Sequence, residues 1–513
     1  MSITQGLNTE LQEKVNQFKE LDQKITHLNS VLALAGWDQK VMAPKKGRSL
    51  FANSIGTLST EIFKLSISKE MGELLETLRA EDVYPQLDDV TMATVRERNN
   101  FYQQSKSIPS ELYNEYIVLT SNANDAWEEA RETNNFEIYL PYLERIVEIK
   151  KQFAEYYGYE GHPYNALLNE FEPGLTVEKL DPLFAELRRS SIDILKRIKL
   201  SSSKPNGEIF EKLYDANTQK EFNQLLLPRI GFDMNAGRLD ETVHPFAQTI
   251  NTGDVRITTR YLEENVRSAI FGTIHEAGHG IYEQNINPEL EGTSICGGTS
   301  FGIHESQSRF LENMVGRSEE FWSFFYQDLQ NHFPVQLGNL DVKDFYRAIN
   351  IVEPSYIRVE ADELTYNLHI MLRYEIEKGL ISGDIAVKDL PAVWNEKMED
   401  YLGIVPPTDT LGVLQDVHWS FGGLGYFPSY SLGNLYAAQI LNTIKRELPD
   451  FYSHIEKGEF KVIQNWLKDK IHQYGGIFTP DELIKKVTGE GLNATYLVNY
   501  LEEKYAKVYE LNK

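Results

Sequence analysis

In the stretch TIHEAGHGIY, His275 and His279 stand four residues apart with Glu276 beside the first. These types at this spacing suggest metal chemistry. Positions four apart on a helix share a face, so two imidazoles can converge on one ion at about 2 Å from each nitrogen. Glu276 points roughly a quarter turn away, which suits a base acting on water rather than a third ligand. The competing interpretation is two ordinary histidines on an amphipathic helix. Gly278 weighs against it. Glycine inside a helix costs roughly 1 kcal/mol relative to alanine, and its presence is easier to understand where something approaches closely.

A catalytic zinc needs a third protein ligand and one open position. The continuation x-x-G-x-x-H is absent, because Tyr282 and Asn285 occupy its places. A glutamate from a second helix is the other arrangement. SFGIHESQSRFLENMVGRS, residues 300–318, offers Glu305 first, with His304 and Glu312 as alternatives. Glu283 lies too far along the first helix to join the same tetrahedron. Cys296 has no identifiable base beside it and reads as a small buried residue.

If metal-activated water attacked a carbonyl carbon, donors would be needed for the charge that develops on the oxygen. In HWSFGGLGYFPSYSLG, His418, Tyr426 and Tyr430 flank Gly422, Gly423 and Gly425 and could supply them. YIRVEADELTYNLHIMLRYEIEKG reads as one helix, with Ile357, Ala361, Leu364, Leu368 and Met371 on one stripe. A second stripe carries Arg358, Asp362, Thr365 and His369, and on pattern alone it is a solvated face.

These residues must be positioned by helices. Leu11, Val15, Phe18, Leu21, Ile25, Leu28 and Leu32 recur at helical spacing. Similar periodicity covers most of 55–160 and 176–200. Leu262, Val266, Ala269, Ile270 and Ile274 predict a helix leading into the histidines, with Pro288 closing it. Phe310 and Met314 support a helix for the second segment. Thr479, Pro480 and Glu482 form a helix start with a capping box. Strand signals are sparse: HPFAQTINTGDVRITTRY predicts a hairpin turning at Asn251, Thr252 and Gly253. No internal repeat or linker is visible in 513 residues, which favours a single large helical domain.

The balance of 51 basic against 76 acidic side chains gives a net charge of −25. That argues against nucleic acid or an anionic membrane as partner. One cysteine permits no intramolecular disulfide, and the N-terminus does not read as a signal peptide. No run of about 18 apolar residues occurs. The expectation is a cytoplasmic protein.

HEAGH followed by HESQSR is similar to the M32 family of metallocarboxypeptidases. Four further segments match family motifs in order: HPF at 244–246, DVRIT at 254–258, IRVEAD at 357–362 and GVLQDVHW at 412–419. The motifs span about 240–430, and LAGWDQKVMAP near the N-terminus also looks family-like. The resemblance implies a mainly α, two-lobed fold with a deep central groove, related to neurolysin and angiotensin-converting enzyme. A small hairpin or sheet would sit beside the zinc site. Residues 1–513 would be one peptidase domain, with helices in about 1–80 as a lid. It implies a broad-specificity zinc carboxypeptidase, usually a homodimer, in which cobalt can substitute. His275, His279 and Glu305 would be the ligands and Glu276 the base.

A carboxypeptidase must hold the terminal carboxylate of its peptide, and a guanidinium fork matches that group. The family motif makes Arg358 the first choice and Arg256 the second. Gln415, in the GVLQDVHW motif, joins them as a substrate-binding candidate. Around Asp254 and Arg256 two roles compete: a sheet edge that pairs with the peptide, or a structural ion pair. An endo-oligopeptidase of neurolysin type is the alternative function, since it needs no arginine for a terminal carboxylate.

Overall fold

The computed structural model describes residues 8–511. Helices dominate, and the described residues hold one three-stranded sheet. The first helix, Thr9–Val41, starts where the Asn8 side chain accepts the Leu11 N–H at 2.8 Å. Its apolar stripe does bury Leu11, Val15, Phe18, Leu21 and Ile25. These residues pack with helices Arg48–Ser66, Lys69–Leu78 and Asp89–Ser107 into an apolar core of their own, which includes Met71, Leu75 and Val95. A second, much larger core gathers the rest of the chain around the HEAGH segment.

The predicted hairpin exists as β2 (Ala247–Asn251) and β3 (Asp254–Thr259), turning at Thr252 and Gly253. A further strand, β1 (Gly237–Glu241), pairs in parallel with β3, so the order is β1-β3-β2. GRLDE escapes sequence analysis because it has one apolar residue and no alternation to read. The first helix reaches this sheet through Trp37. That ring is buried and packs against the guanidinium groups of Arg256 on β3, at 4.6 Å, and Arg238 on β1, at 5.1 Å.

Three helix expectations need correction. The helix before the histidines starts at Val266, not Leu262, because the Asn265 side chain accepts the Ser268 N–H and caps it there. It ends at Gln284, ahead of Pro288. The segment after Glu305 is α-helical only over Phe301–Arg309 and continues as a π-helical turn through Phe310–Val315. The third correction concerns residues 357–382. Arg358–Glu360 form a single 3₁₀ turn, and the α-helix runs Glu363–Ser382. Asp362 stops it extending backwards, since its Oδ1 accepts the N–H groups of Leu364 and Thr365 at 3.0 Å. The polar stripe is not a solvated face: Thr365 and His369 have no exposure, Arg358 has 5%, and Asp362 is half-buried. The capping box of Thr479 and Glu482 is present as expected.

Candidate active site

Three elements converge on the histidines. The HEAGH helix (Val266–Gln284) lies on β3 and brings Ile270, Ile274, Ala277 and Ile281 into the main core. The Glu305 helix (Phe301–Arg309) begins at Ser300, whose hydroxyl accepts the Ile303 N–H at 3.1 Å. It is wedged between the HEAGH helix and a third helix, Pro428–Glu447. Glycines make both approaches possible. A Cβ on Gly278 would meet the Ser308 Cα at 2.5 Å and the Gln307 carbonyl oxygen at 2.6 Å. One on Gly433 would meet the Cβ of Glu305 at 2.7 Å. The close approach anticipated for Gly278 is therefore to the backbone carrying Glu305.

His275, His279 and Glu305 bring ligand atoms within 4.8 Å of one another. Glu305 Oε2 is 3.6 Å from His275 Nε2 and 3.3 Å from His279 Nε2. Ligands at 2.0–2.2 Å from a tetrahedral ion stand roughly 3.3–3.6 Å apart, so these residues fit a metal ion. The outer nitrogens are occupied as a metal site requires. His275 Nδ1 is 2.9 Å from Glu312 Oε2, and His279 Nδ1 is 2.5 Å from His304 Nδ1. His304 Nε2 in turn meets Glu283 at 2.8 Å. The alternatives His304 and Glu312 thus stand behind the histidines.

Electrostatics agree with that division. Burial opposes the Glu305 charge, but Arg309, whose Nε donates to Oε1 at 2.7 Å, and the histidines hold the carboxyl well below the usual range. Glu312 is brought down to about 2 against its burial, chiefly by Arg309 and His275. Burial brings His279 down to about 3, leaving a neutral imidazole. Burial also pushes the Glu276 carboxyl up to about 7.

Beyond the histidines, Arg358 is anchored by Asp416, through Nε at 3.1 Å and Nη2 at 2.8 Å, and by the Tyr366 hydroxyl at 3.1 Å. Its guanidinium lies 5.0 Å from the Tyr430 ring. Tyr430 is 5.3 Å from Tyr426, ring to ring, and its hydroxyl is 3.3 Å from His418 Nε2. The candidate donors and the candidate carboxylate arginine therefore form one cluster. Gln415 is placed otherwise: its Oε1 accepts the Arg358 backbone N–H at 2.9 Å and its amide donates to the Tyr356 and Gly412 carbonyls. Its side chain grips backbone. Arg256 makes a two-bond pair with Asp254, at 2.8 and 2.7 Å, under Trp37. Of the two roles weighed for that pair, the geometry displays the ion pair. Cys296 is half-buried, and burial pushes its thiol up to about 12.

Arg309, Arg373 and Glu377 also belong to this arrangement and were not among the residues expected from the sequence. Arg309 was legible as a partner four residues after Glu305. Arg373 and Glu377 continue the stripe Thr365, His369 at the same spacing of four, and all four are fully buried.

Such a site belongs to a metal-dependent hydrolase. The chain belongs to the carboxypeptidase Taq (M32) metallopeptidase family, whose model matches residues 17–505. It is 49% identical over 498 residues to carboxypeptidase 1 of Bacillus subtilis, covering 96% of this chain and 98% of that protein. It is 42% identical over 500 residues to thermostable carboxypeptidase 1 of Thermus thermophilus, covering 96% and 98%. The crystal structure of the M32 carboxypeptidase from Deinococcus radiodurans R1 superposes with a TM-score of 0.94 at 34% identity, covering 97% of this chain and 100% of that one. These matches support the carboxypeptidase over the endo-oligopeptidase.

Proposed function

We propose that this chain is a zinc carboxypeptidase that removes C-terminal residues one at a time from peptides, with broad specificity. The observation that carries it is the spacing of the Glu305 oxygen from the His275 and His279 nitrogens, 3.6 and 3.3 Å, in a chain of this family. Those three would hold the ion, zinc by choice and cobalt as a substitute. When bound, zinc lowers the pKa of a ligated water to about 7 and polarises a carbonyl oxygen. Glu276 takes the proton of the attacking water and passes it to the leaving amine. Its burial, which raises its carboxyl to about 7, suits a group that must both accept and release a proton near neutrality.

Tyr426 and Tyr430 donate to the charge that grows on the carbonyl oxygen. Burial raises both phenols, so they keep their protons at neutral pH. Burial holds His418 down to about 4, and it supports Tyr430 as a neutral ring. Arg358 captures the terminal carboxylate. Three of its five N–H groups are engaged, leaving one on each terminal nitrogen, the pair that a carboxylate fork needs. Gln415 serves by fixing Arg358, and Asp254 with Arg256 by docking the first helix beside the site.

Residues 1–513 act as one peptidase domain with helices in about 1–80 as the lid. The separate apolar core of the N-terminal helices supports this. The family resemblance supports a homodimer, and the single cysteine a reducing cytoplasm. No described helix is long and apolar enough to cross a membrane.

The test is a mass-spectrometric time course on one unstructured peptide, free and C-terminally amidated, with zinc supplied. A ladder from the free C-terminus, and no product from the amide, is expected. Internal cleavage of both would overturn the exopeptidase, and no cleavage with zinc bound would overturn the activity.

A further inference from the structure

Asp416 stands between two arginines. Arg358 takes its Oδ1, and Arg373 donates to Oδ2 through Nε at 2.7 Å, with Nη2 at 2.5 Å. All three side chains are deeply buried, at 7%, 12% and 0% exposure for Arg358, Asp416 and Arg373. The other polar groups around them are His369, His418, Tyr366 and Tyr430, with Glu377 one helical turn beyond Arg373, where burial raises its carboxyl to about 7 against the pull of that guanidinium. Burial and the neighbouring arginines hold His369 well below its ordinary value, and His418 is likewise neutral at pH 7. Burial brings Arg373 down to about 10, which leaves it charged at neutral pH. The charges on Arg358, Asp416 and Arg373 are therefore two positive and one negative.

Arg358 and Asp416 alone would sum to zero. An approaching carboxylate would then meet a dipole, in a chain whose overall charge repels it. Arg373 cannot touch a peptide. It has no exposed surface, its second terminal nitrogen donates to the His369 carbonyl at 2.6 Å, and its guanidinium is covered by Trp394 at 4.6 Å and Phe427 at 5.3 Å.

We infer that Arg373 is a positioning residue for substrate binding: it neutralises Asp416, so that Asp416 can orient Arg358 without cancelling the charge offered to the peptide's terminal carboxylate. The inference rests on the assignment of Arg358 as the carboxylate anchor.

The experiment is steady-state kinetics of the zinc-loaded enzyme on one free-carboxylate peptide. The variants are Arg358→Ala, Arg373→Met, Asp416→Asn and the double variant Arg373→Met with Asp416→Asn. Folding is checked by circular dichroism and thermal unfolding. One unit charge a few ångströms away in a partly screened site is worth roughly tenfold or more. Arg373→Met should raise KM roughly tenfold or more with kcat much less changed. Adding Asp416→Asn to Arg373→Met should lower KM several-fold relative to Arg373→Met alone, because the charge that needed neutralising is gone while the amide oxygen can still accept from Arg358. If Arg373 only packed the core, all three would raise KM and the double would be worst, which overturns the inference. If Arg373→Met does not fold, the double variant against Asp416→Asn carries the test, and equal KM values overturn the inference. A raised KM for Arg358→Ala with no change for Arg373→Met sinks the inference alone. An unchanged KM for Arg358→Ala removes the Arg358 assignment and the inference with it.

Discussion

Gly278 and Ser308 are in backbone contact: a single carbon added to Gly278 would lie 2.5 Å from the Ser308 Cα. The helix carrying the histidines and the helix carrying Glu305 can approach this closely only because position 278 has no side chain. Ligand geometry thus depends on a residue that touches no ligand.

Gly278→Ala should force the two helices apart. Overpacking of this kind costs about 1–3 kcal/mol. Neither neighbour is a movable side-chain tip, so the strain must be taken by backbone. A lower unfolding midpoint is expected, together with weaker zinc retention against a chelator. An unchanged midpoint would contradict it.

Glu276→Gln should keep zinc and lose turnover. The amide has nearly the shape of the carboxyl but cannot accept the water's proton. Zinc stoichiometry by atomic absorption should match the wild type while kcat falls by roughly 100-fold or more. Residual activity near the wild-type level would assign the base elsewhere.

Glu312→Gln should loosen His275. The carboxylate lies 2.9 Å from Nδ1 and fixes which ring nitrogen faces the ion. Outer partners of this type are worth about 10–100-fold in metal affinity. Competition with a graded set of chelators reads that loss directly, without activity.

Glu377 gives a stability prediction with a sign. Its carboxyl is wholly buried, and accepts from Tyr164, from the Trp419 indole at 2.6 Å and from the Gly425 N–H at 2.8 Å. Burial raises it from 4.5 to about 7 despite these donors. The folded chain therefore binds this proton more tightly than the unfolded chain. Its contribution is fully present below about pH 4.5, falls as pH rises and is lost above about 7. The ceiling is about 3 kcal/mol. Denaturant titrations at pH 5 and pH 7.5 should show a smaller difference for Glu377→Gln than for the wild type. An equal difference would show that another group carries the slope.

Much of the site is legible in the sequence because its ligands sit at helical spacing. HEAGH announces its own geometry, and Glu305 follows on the next helix. Pattern alone shows Arg358 as one residue of a stripe, and the match to the family motif is what singles it out, since nothing local distinguishes a solvated polar face from a polar seam running through a core. The seam Thr365, His369, Arg373, Glu377 is buried where its helix packs on Val177–Leu200, Leu390–Leu402 and Pro428–Glu447. Glu377 binds the glycine loop near Tyr426, and Arg373 binds Asp416, contacts between segments that sequence periodicity does not connect. Strand β1 was missed for a related reason. It is a strand because β3 offers it a ladder, not because GRLDE prefers one.

The π-helical turn at Phe310–Val315 makes the metal centre sensitive to chain length as well as residue identity. Glu305 faces the inner nitrogen of His275 and Glu312 the outer one, from a single continuous run of helix. A π turn takes up more residues than an α turn. Deleting one residue there would let ordinary α geometry return, and Glu312 would lose the angle to Glu305 that the wider turn gives it. Glu312 would leave His275 although every side chain involved were still encoded. Replacing one apolar residue by another in Phe310–Met314 is a far smaller disturbance than shortening the segment by one.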